Sequence, residues 1–231
     1  TGIDLPGEAE GGIFSKEKLH QVELATSSFG QGQTVTMIQL ASAFSAVING
    51  GNYYQPHVVK EINSESGAVV SSNDNTLVKR VVSEDASKLI RKYLEKTVED
   101  DEGTASPARV KGYVIGGKTG TAEKWPRNEG KYLVSFAGFT PTDKPELMIY
   151  VVIDEPHVSD QAHSTYATEF ASEVLKDVLP MLGIYKQTGK SDSAKKITLP
   201  STKKGNQLLE VPKGGFSSST YKVAKSKKNN G

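Results

Sequence analysis

The stretch Gly112-Tyr-Val-Ile-Gly-Gly-Lys-Thr-Gly-Thr-Ala-Glu-Lys-Trp125 satisfies two catalytic patterns at once. Gly112, Gly117, Lys118 and Thr119 have the phosphate-loop spacing G-x-x-x-x-G-K-[ST]. Lys118-Thr119-Gly120 also spells the K-T-G triplet of serine acyl-transfer sites. The first pattern needs an apolar strand ending at its first glycine and a helix opening at the Lys-Thr pair. Here TASPARVK (104–111) precedes Gly112 and is no buried strand. Tyr113, Val114 and Ile115 are strand formers, and Gly120, Pro126 and Gly130 are poor helix material. The phosphate-loop match is accidental. A strand carrying Lys118 to Thr121 instead offers an ammonium, two hydroxyls and a bare glycine backbone along a cleft. The ammonium and hydroxyls suit a carboxylate, and Gly120 lets an extended peptide lie alongside. A backbone N–H there can point at a developing oxyanion.

Working outward, three strands are expected over 113–124, 132–140 and 146–154, the last two joined antiparallel through PTDKP. Thr36 and Gln39 form a capping box ahead of Met37, Leu40, Ala41, Phe44, Val47 and Ile48, which recur at helical spacing, and Asn49-Gly50-Gly51 closes the element. Ser83 caps a second helix whose apolar stripe is Ala86, Leu89, Ile90, Tyr93 and Leu94. A last amphipathic helix runs through Ala167, Phe170, Ala171, Val174, Leu175, Val178 and Leu179, and closes near Pro180 and Gly183. Residues 15–24 are compatible with a short helix, and 57–70 with a hairpin followed by a strand at 77–82. The predicted fold is α+β: an antiparallel sheet backed by the C-terminal helix, with the 36–49 helix on its other side.

Composition divides the chain. From Lys186 onward 11 lysines face only Asp192 and Glu210, which leaves residues 1–185 with 17 basic and 25 acidic side chains. Hydrophobic content is 36%, and the Lys-, Ser- and Gly-rich stretch 186–231 is expected to be a basic, flexible tail. Its lysines lack interleaved aromatics, so no nucleic-acid partner is expected. There are no cysteines, which excludes disulfides and a thiolate nucleophile. The apolar run Leu147–Ile153 is far short of the ~20 residues a membrane helix needs. Thr1 opens mid-loop without an initiator Met, and the chain is expected to be a piece of something longer.

Taken in order, TGIDLPGE (1–8), SSFGQG (27–32), TMIQLASAFSAVINGG (36–51), GGKTGTAEK (116–124), SFAGFTP (135–141) and VVIDEP (151–156) resemble the C-terminal part of the transpeptidase domain of a class B penicillin-binding protein. The resemblance runs to about Tyr185, dividing the chain into 1–185 and the tail 186–231. It implies an incomplete β-lactamase/transpeptidase-like fold and a peptidoglycan D,D-transpeptidase. Such an enzyme works by serine acyl transfer on D-Ala-D-Ala stem peptides, is inhibited by β-lactams, and uses no metal or organic cofactor. It also implies a parent anchored in the bacterial cell membrane, facing outward within a cell-wall synthesis complex. Lys118 would support the catalytic serine's hydrogen-bond network. Thr119 and Thr121 would bind the terminal carboxylate, Gly120 would permit close approach, and the Thr121 N–H would form half of an oxyanion hole.

The family's nucleophile and base lie in S-x-x-K and its second motif is S-x-N. Ser15-Lys16-Glu17-Lys18 and Ser71-Ser72-Asn73 match in form, but both are expected at the surface. Lys18 has charged neighbours, whereas a base lysine needs desolvation. The chain is therefore expected to hold one wall of a site without its nucleophile, and a non-catalytic wall-peptide or partner-binding module is the competing reading. His157 and His163 match no metal-ligand spacing. Trp125, Tyr53 and Tyr54 are expected to be packing residues.

Overall fold

The computed structural model describes residues 1–73 and 75–186; the basic tail expected from the sequence lies, beyond Lys186, outside the described residues. Its centre is a three-stranded antiparallel sheet in the order β5–β6–β7, with β5 at Gly116–Glu123, β6 at Tyr132–Thr140 and β7 at Leu147–Asp154. Gly116 pairs with Phe139 and Glu123 with Tyr132, while Leu133 pairs with Asp154 and Thr140 with Leu147. The ladder starts three residues later than the propensity of Tyr113-Val114-Ile115 suggests. Polar side chains take those backbone groups instead: Thr140 Oγ1 donates to the Val114 carbonyl, and the Ile115 N–H donates to Glu99 Oε1.

Side chains alternate across the sheet, and each face has its own cover. Phe136 joins Ile115, Val98, Val151 and the inner stripe of α4 (Thr165–Met181) in the main core. That stripe is Ala167, Ala171, Leu175 and Leu179, spaced by four, so that one face lies flat on the strands. Phe170, counted into the stripe from sequence, is exposed. On the opposite face Phe139 meets Phe44 of α2 (Met37–Ile48) edge-on at 6.0 Å between centroids. The capping box is present as expected: Thr36 Oγ1 accepts from the Gln39 N–H, and Gln39 Oε1 accepts from the Thr36 N–H.

Helix α3 (Glu84–Glu99) starts at the Ser83 cap, and its inward stripe keeps Ala86, Ile90 and Leu94 partly buried but is turned to one side of the expected one. Leu89 and Tyr93 are exposed, whereas Ser87 and Val98 are buried. A polar knot decides this orientation. Ser87 Oγ accepts from the Gly50 N–H at 3.0 Å and from Arg91, and Arg91 also donates to the Ile48 carbonyl at 2.8 Å. The end of α2 is thereby tied to α3, and a satisfied buried hydroxyl costs little. Gly51, at φ +94°, passes so close to Val82 that an added Cβ would lie 2.0 Å from its carbonyl oxygen.

The remaining elements are small. The expected 15–24 helix is replaced by a 3-10 turn at Lys16–Lys18 and a short helix α1 at Gln21–Ser27, with no buried residue to anchor it. The hairpin pairs β2 (Glu61–Asn63) with β3 (Val69–Ser72). The strand β4 (Leu77–Arg80) pairs with β1 (Asn52–Tyr54), which periodicity in the sequence did not reveal. Asp4 clamps the start of this region by accepting the N–H groups of Val58 at 2.7 Å and Val59 at 2.8 Å.

Two predictions follow from this packing. Gly117 lies against the Phe136 ring, where an added Cβ would come within 2.5 Å of two ring carbons. Gly117→Ala is expected to destabilise the domain by about 2 kcal/mol, because a fully buried ring must shift. Chemical denaturation checks this, and an unchanged midpoint would contradict it. The N–H donors of Val58 and Val59 hold the Asp4 carboxyl below its usual range. A depressed carboxyl stabilises above its unfolded value, ~3.9, and the contribution is lost as pH falls through the folded value. Protection of the Val58 and Val59 amides against hydrogen exchange should therefore collapse in acid, and Asp4→Asn should remove that pH dependence.

Candidate active site

Strand β5 is an edge of its sheet, so one row of its backbone groups faces away from β6. The hydrogen bonds made on that side identify the row. Thr97 Oγ1 donates to the Gly117 carbonyl, Lys118 Nζ to the Thr119 carbonyl at 2.7 Å, and Gln31 Nε2 to the Thr121 carbonyl at 3.2 Å. Gly117, Thr119 and Thr121 alternate, as groups on one side of a strand must. The Gly117 end is closed by α3, whose Glu95 backbone nitrogen would lie 3.2 Å from a Cβ at Gly116. The edge is open from Lys118 onward.

The expected residues are thus brought together on that open stretch. Lys118 is exposed, and Thr119, Gly120 and Thr121 are half-buried. Alternation places Lys118 and Gly120 on the face that holds Phe139, while the two threonines share the opposite face about 7 Å apart. All four meet at the free edge. Under Gly120 lies Ser135, whose hydroxyl would be 2.5 Å from an added Cβ and would have to turn away to admit one. Ser135 also hydrogen-bonds the Tyr150 hydroxyl. Burial pushes that phenol above its ordinary value, and the Ser135 hydrogen bond offsets part of the rise. Ser135 and Tyr150 are both half-buried, so this part of the sheet face beside Lys118 is only partly covered.

Sequence reasoning missed Gln31, Ser135 and Tyr150. The flanking pair Gly30 and Gly32 was a signal for the first, because two positive-φ glycines fix the course of a loop. Nothing in sequence marked the other two, whose importance is set by strand register. Glu123, given no role from sequence, accepts the Asn128 N–H at 2.6 Å and so shapes the β5–β6 loop. Lys124 closes the strand by pairing with Asp154 at 2.9 Å and Glu155 at 2.6 Å. Trp125 corrects an expectation: it is not a packing residue but 80% exposed, with the Arg127 guanidinium 5.3 Å from its ring centroid. Tyr54 is also exposed, and Tyr53 is half-buried.

Ser15 and Lys18 lie exposed around the 3-10 turn. Ser71 sits on exposed β3, and the Asn73 amide donates to the Val59 carbonyl at 2.6 Å. Among the described residues no group of His, Asp and Glu is arranged to hold a metal; His163 pairs with Asp160 at 2.9 Å. Two surface grooves, of about 330 and 380 Å³, lie along α2 and at its C-terminal end, away from β5. Neither adds chemistry to the site, because Arg80 and Arg91 in the second are already engaged with the Gly50 and Ile48 carbonyls.

The family model described as "Penicillin binding protein transpeptidase domain" matches residues 1–176. Stage V sporulation protein D of Bacillus subtilis is 43% identical over 218 residues, which cover 92% of this chain and 32% of the relative. Penicillin-binding protein PbpB of Mycolicibacterium smegmatis is 30% identical over 68% of this chain and 26% of the relative. Among solved structures, penicillin-binding protein 3 from Mycobacterium tuberculosis complexed with ampicillin aligns with a TM-score of 0.72 at 26% identity, over 81% of this chain and 44% of that one. The apo transpeptidase domain of Burkholderia pseudomallei penicillin-binding protein 3 gives 0.69 at 28% identity, over 81% and 54%. The chain spans about a third of the curated relatives it matches and about half of those structures.

Trp125 is the single tryptophan of the chain. Its fluorescence should therefore sit at the solvent-exposed, red end and be strongly quenched by acrylamide. A blue-shifted, protected emission would contradict the placement of the β5–β6 loop.

Proposed function

The chain belongs to the penicillin-binding protein transpeptidase family, and we propose that it supplies the K-T-G wall of a peptidoglycan D,D-transpeptidase site. The observation that carries this reading is the free edge of β5, open from Lys118 to Glu123 beside a half-covered sheet face. On this reading residues 1–185 are the C-terminal portion of the transpeptidase domain, and 186–231 fall outside it. The serine nucleophile and its base come from the part of the domain that this chain does not span, rather than from Ser15 or Ser71. The parent protein is membrane-anchored, faces the cell wall and works within a wall-synthesis complex. Among the described residues no helix is long and apolar enough to cross a membrane.

Each wall residue then has a role. Lys118 leaves its resting bond to the Thr119 carbonyl and projects its ammonium toward the serine's hydrogen-bond network, adding positive potential for the peptide's C-terminal carboxylate. The hydroxyls of Thr119 and Thr121 donate to that carboxylate, or to that of a β-lactam. The serine oxygen attacks the carbonyl of the penultimate D-alanine while the base takes its proton. Negative charge that develops on the carbonyl oxygen is met by the Thr121 N–H and by the serine's own N–H. Collapse expels the terminal D-alanine, whose amine takes up the proton. An amine of a second stem peptide then attacks the ester, releasing the serine and forming the cross-link. No step calls for a metal or an organic cofactor.

The competing reading, a non-catalytic module that binds wall peptides or an assembly partner, uses the same edge without acylation. Labelling with a fluorescent penicillin separates the two. The 231-residue chain is expected to take no covalent label, and a protein with the complete transpeptidase domain should be labelled. Lys118→Ala in that protein should slow acylation by about two to three orders of magnitude, the usual cost of losing one transition-state contact. If the complete domain stays unlabelled, the enzymatic reading is wrong.

A further inference from the structure

Three side chains occupy the outward carbonyls of β5, and they are not equivalent. Thr97 is itself a residue of α3, whose last turns pack over the closed end of the strand. Lys118 bonds the carbonyl of its own neighbour in the strand. Gln31 reaches the Thr121 carbonyl from a loop 90 residues away in sequence, half-buried against the open part of the edge. Its loop is sharply defined: the Gln31 N–H donates to the Thr26 carbonyl at 3.0 Å, and Gly30 and Gly32 take φ of +90° and +81°. A Cβ at Gly32 would press on the Phe14 ring at 3.2 Å. The carboxamide is thus delivered to one chosen carbonyl.

That carbonyl matters because of how antiparallel strands pair. In a hydrogen-bonded pair, two opposed residues exchange both bonds, so the residue that accepts from one N–H also donates to the same residue's carbonyl. If the scissile carbonyl accepts from the Thr121 N–H, as proposed above, the penultimate D-alanine that owns it must offer its own N–H to the Thr121 carbonyl. Gln31 Nε2 already stands there. We infer that Gln31 is a placeholder on the peptide-binding edge: its carboxamide N–H satisfies the Thr121 carbonyl in the free protein and is exchanged for the N–H of the penultimate D-alanine when an extended peptide docks. The inference rests on the peptide-binding reading of β5. The exchange keeps the edge carbonyl paired in both states, and it favours ligands that carry an N–H at that one position.

The test uses the 231-residue chain and two probes, diacetyl-L-lysyl-D-alanyl-D-alanine and the same peptide methylated on its penultimate D-alanine nitrogen. Binding is followed by amide NMR. In the wild-type chain the unmethylated peptide should shift the backbone amides of Lys118–Thr121 together with the side-chain NH₂ of Gln31, and the methylated peptide should leave the Gln31 signal in place. Gln31→Ala and Gln31→Met, the second keeping the reach without the donor, should each bind the unmethylated peptide about fivefold more tightly, the worth of one ordinary hydrogen bond no longer displaced. Their affinity for the methylated peptide should not change. Unaltered or weaker binding of the unmethylated peptide by both variants overturns the placeholder. If the β5 amides shift while the Gln31 NH₂ does not, Gln31 has no such role and the reading of the strand stands. If neither responds at any peptide concentration, both fall together.

Discussion

The ring of Phe136 lies against the bare backbones of Gly117 and Gly138, with 2.5 Å left for any Cβ at either position. This contact seats β5 against β6 and fixes which way each residue of the K-T-G stretch faces. Because Gly117 turns its missing side chain toward the core of Phe136 and α4, Lys118 must turn to the opposite face, and the threonines on either side of Gly120 must return to the first. A slip of one residue would exchange these faces and bury the ammonium. The chemistry of the edge therefore depends on a packing contact between a hydrocarbon ring and two glycines without side chains.

An exposed strand edge invites pairing with other chains, and the described part of this one is guarded. Its outward carbonyls at Gly117, Thr119 and Thr121 are each taken by a hydroxyl, an ammonium or a carboxamide. The guard is graded along the strand. At Gly117 it is built into the α3 contact, and beyond it rests on two polar side chains that can leave at little cost. At the far end Lys124 is tied to Glu155 and then Asp154, whose hydrogen bonds raise its pKa, while Glu123 holds the Asn128 turn. On the proposed reading, peptide recognition and protection of the edge would use the same groups.

Membership of the penicillin-binding transpeptidase family agrees with the way the helices are placed. Helix α4 packs on one face of the sheet along β6 and β7, whereas α2 meets the other at the Phe44–Phe139 contact and against β7. Ser135 and Tyr150 are left half-covered next to Lys118.

Much of this was legible in the residues alone. The capping box at Thr36, the cap at Ser83, the three central strands and the unsuitability of Gly112–Thr119 as a phosphate loop all follow from local backbone preference, which acts over a few residues. The family was carried by motifs in register. Elsewhere local preference lost to distant partners. Tyr113-Val114-Ile115 stayed outside the ladder because Glu99 and Thr140 took their backbone groups, and α3 rotated to bury Ser87 because Gly50 and Arg91 were there to satisfy its hydroxyl. Trp125 projects into solvent from the β5–β6 turn, with Arg127 over its ring. Sequence determined which elements form and which chemical groups stand on β5, since those depend on neighbours along the chain. Only the tertiary structure decided which carbonyls of that strand face away from β6 and that Gln31 holds one of them, since a hydrogen bond across 90 residues leaves no periodic trace.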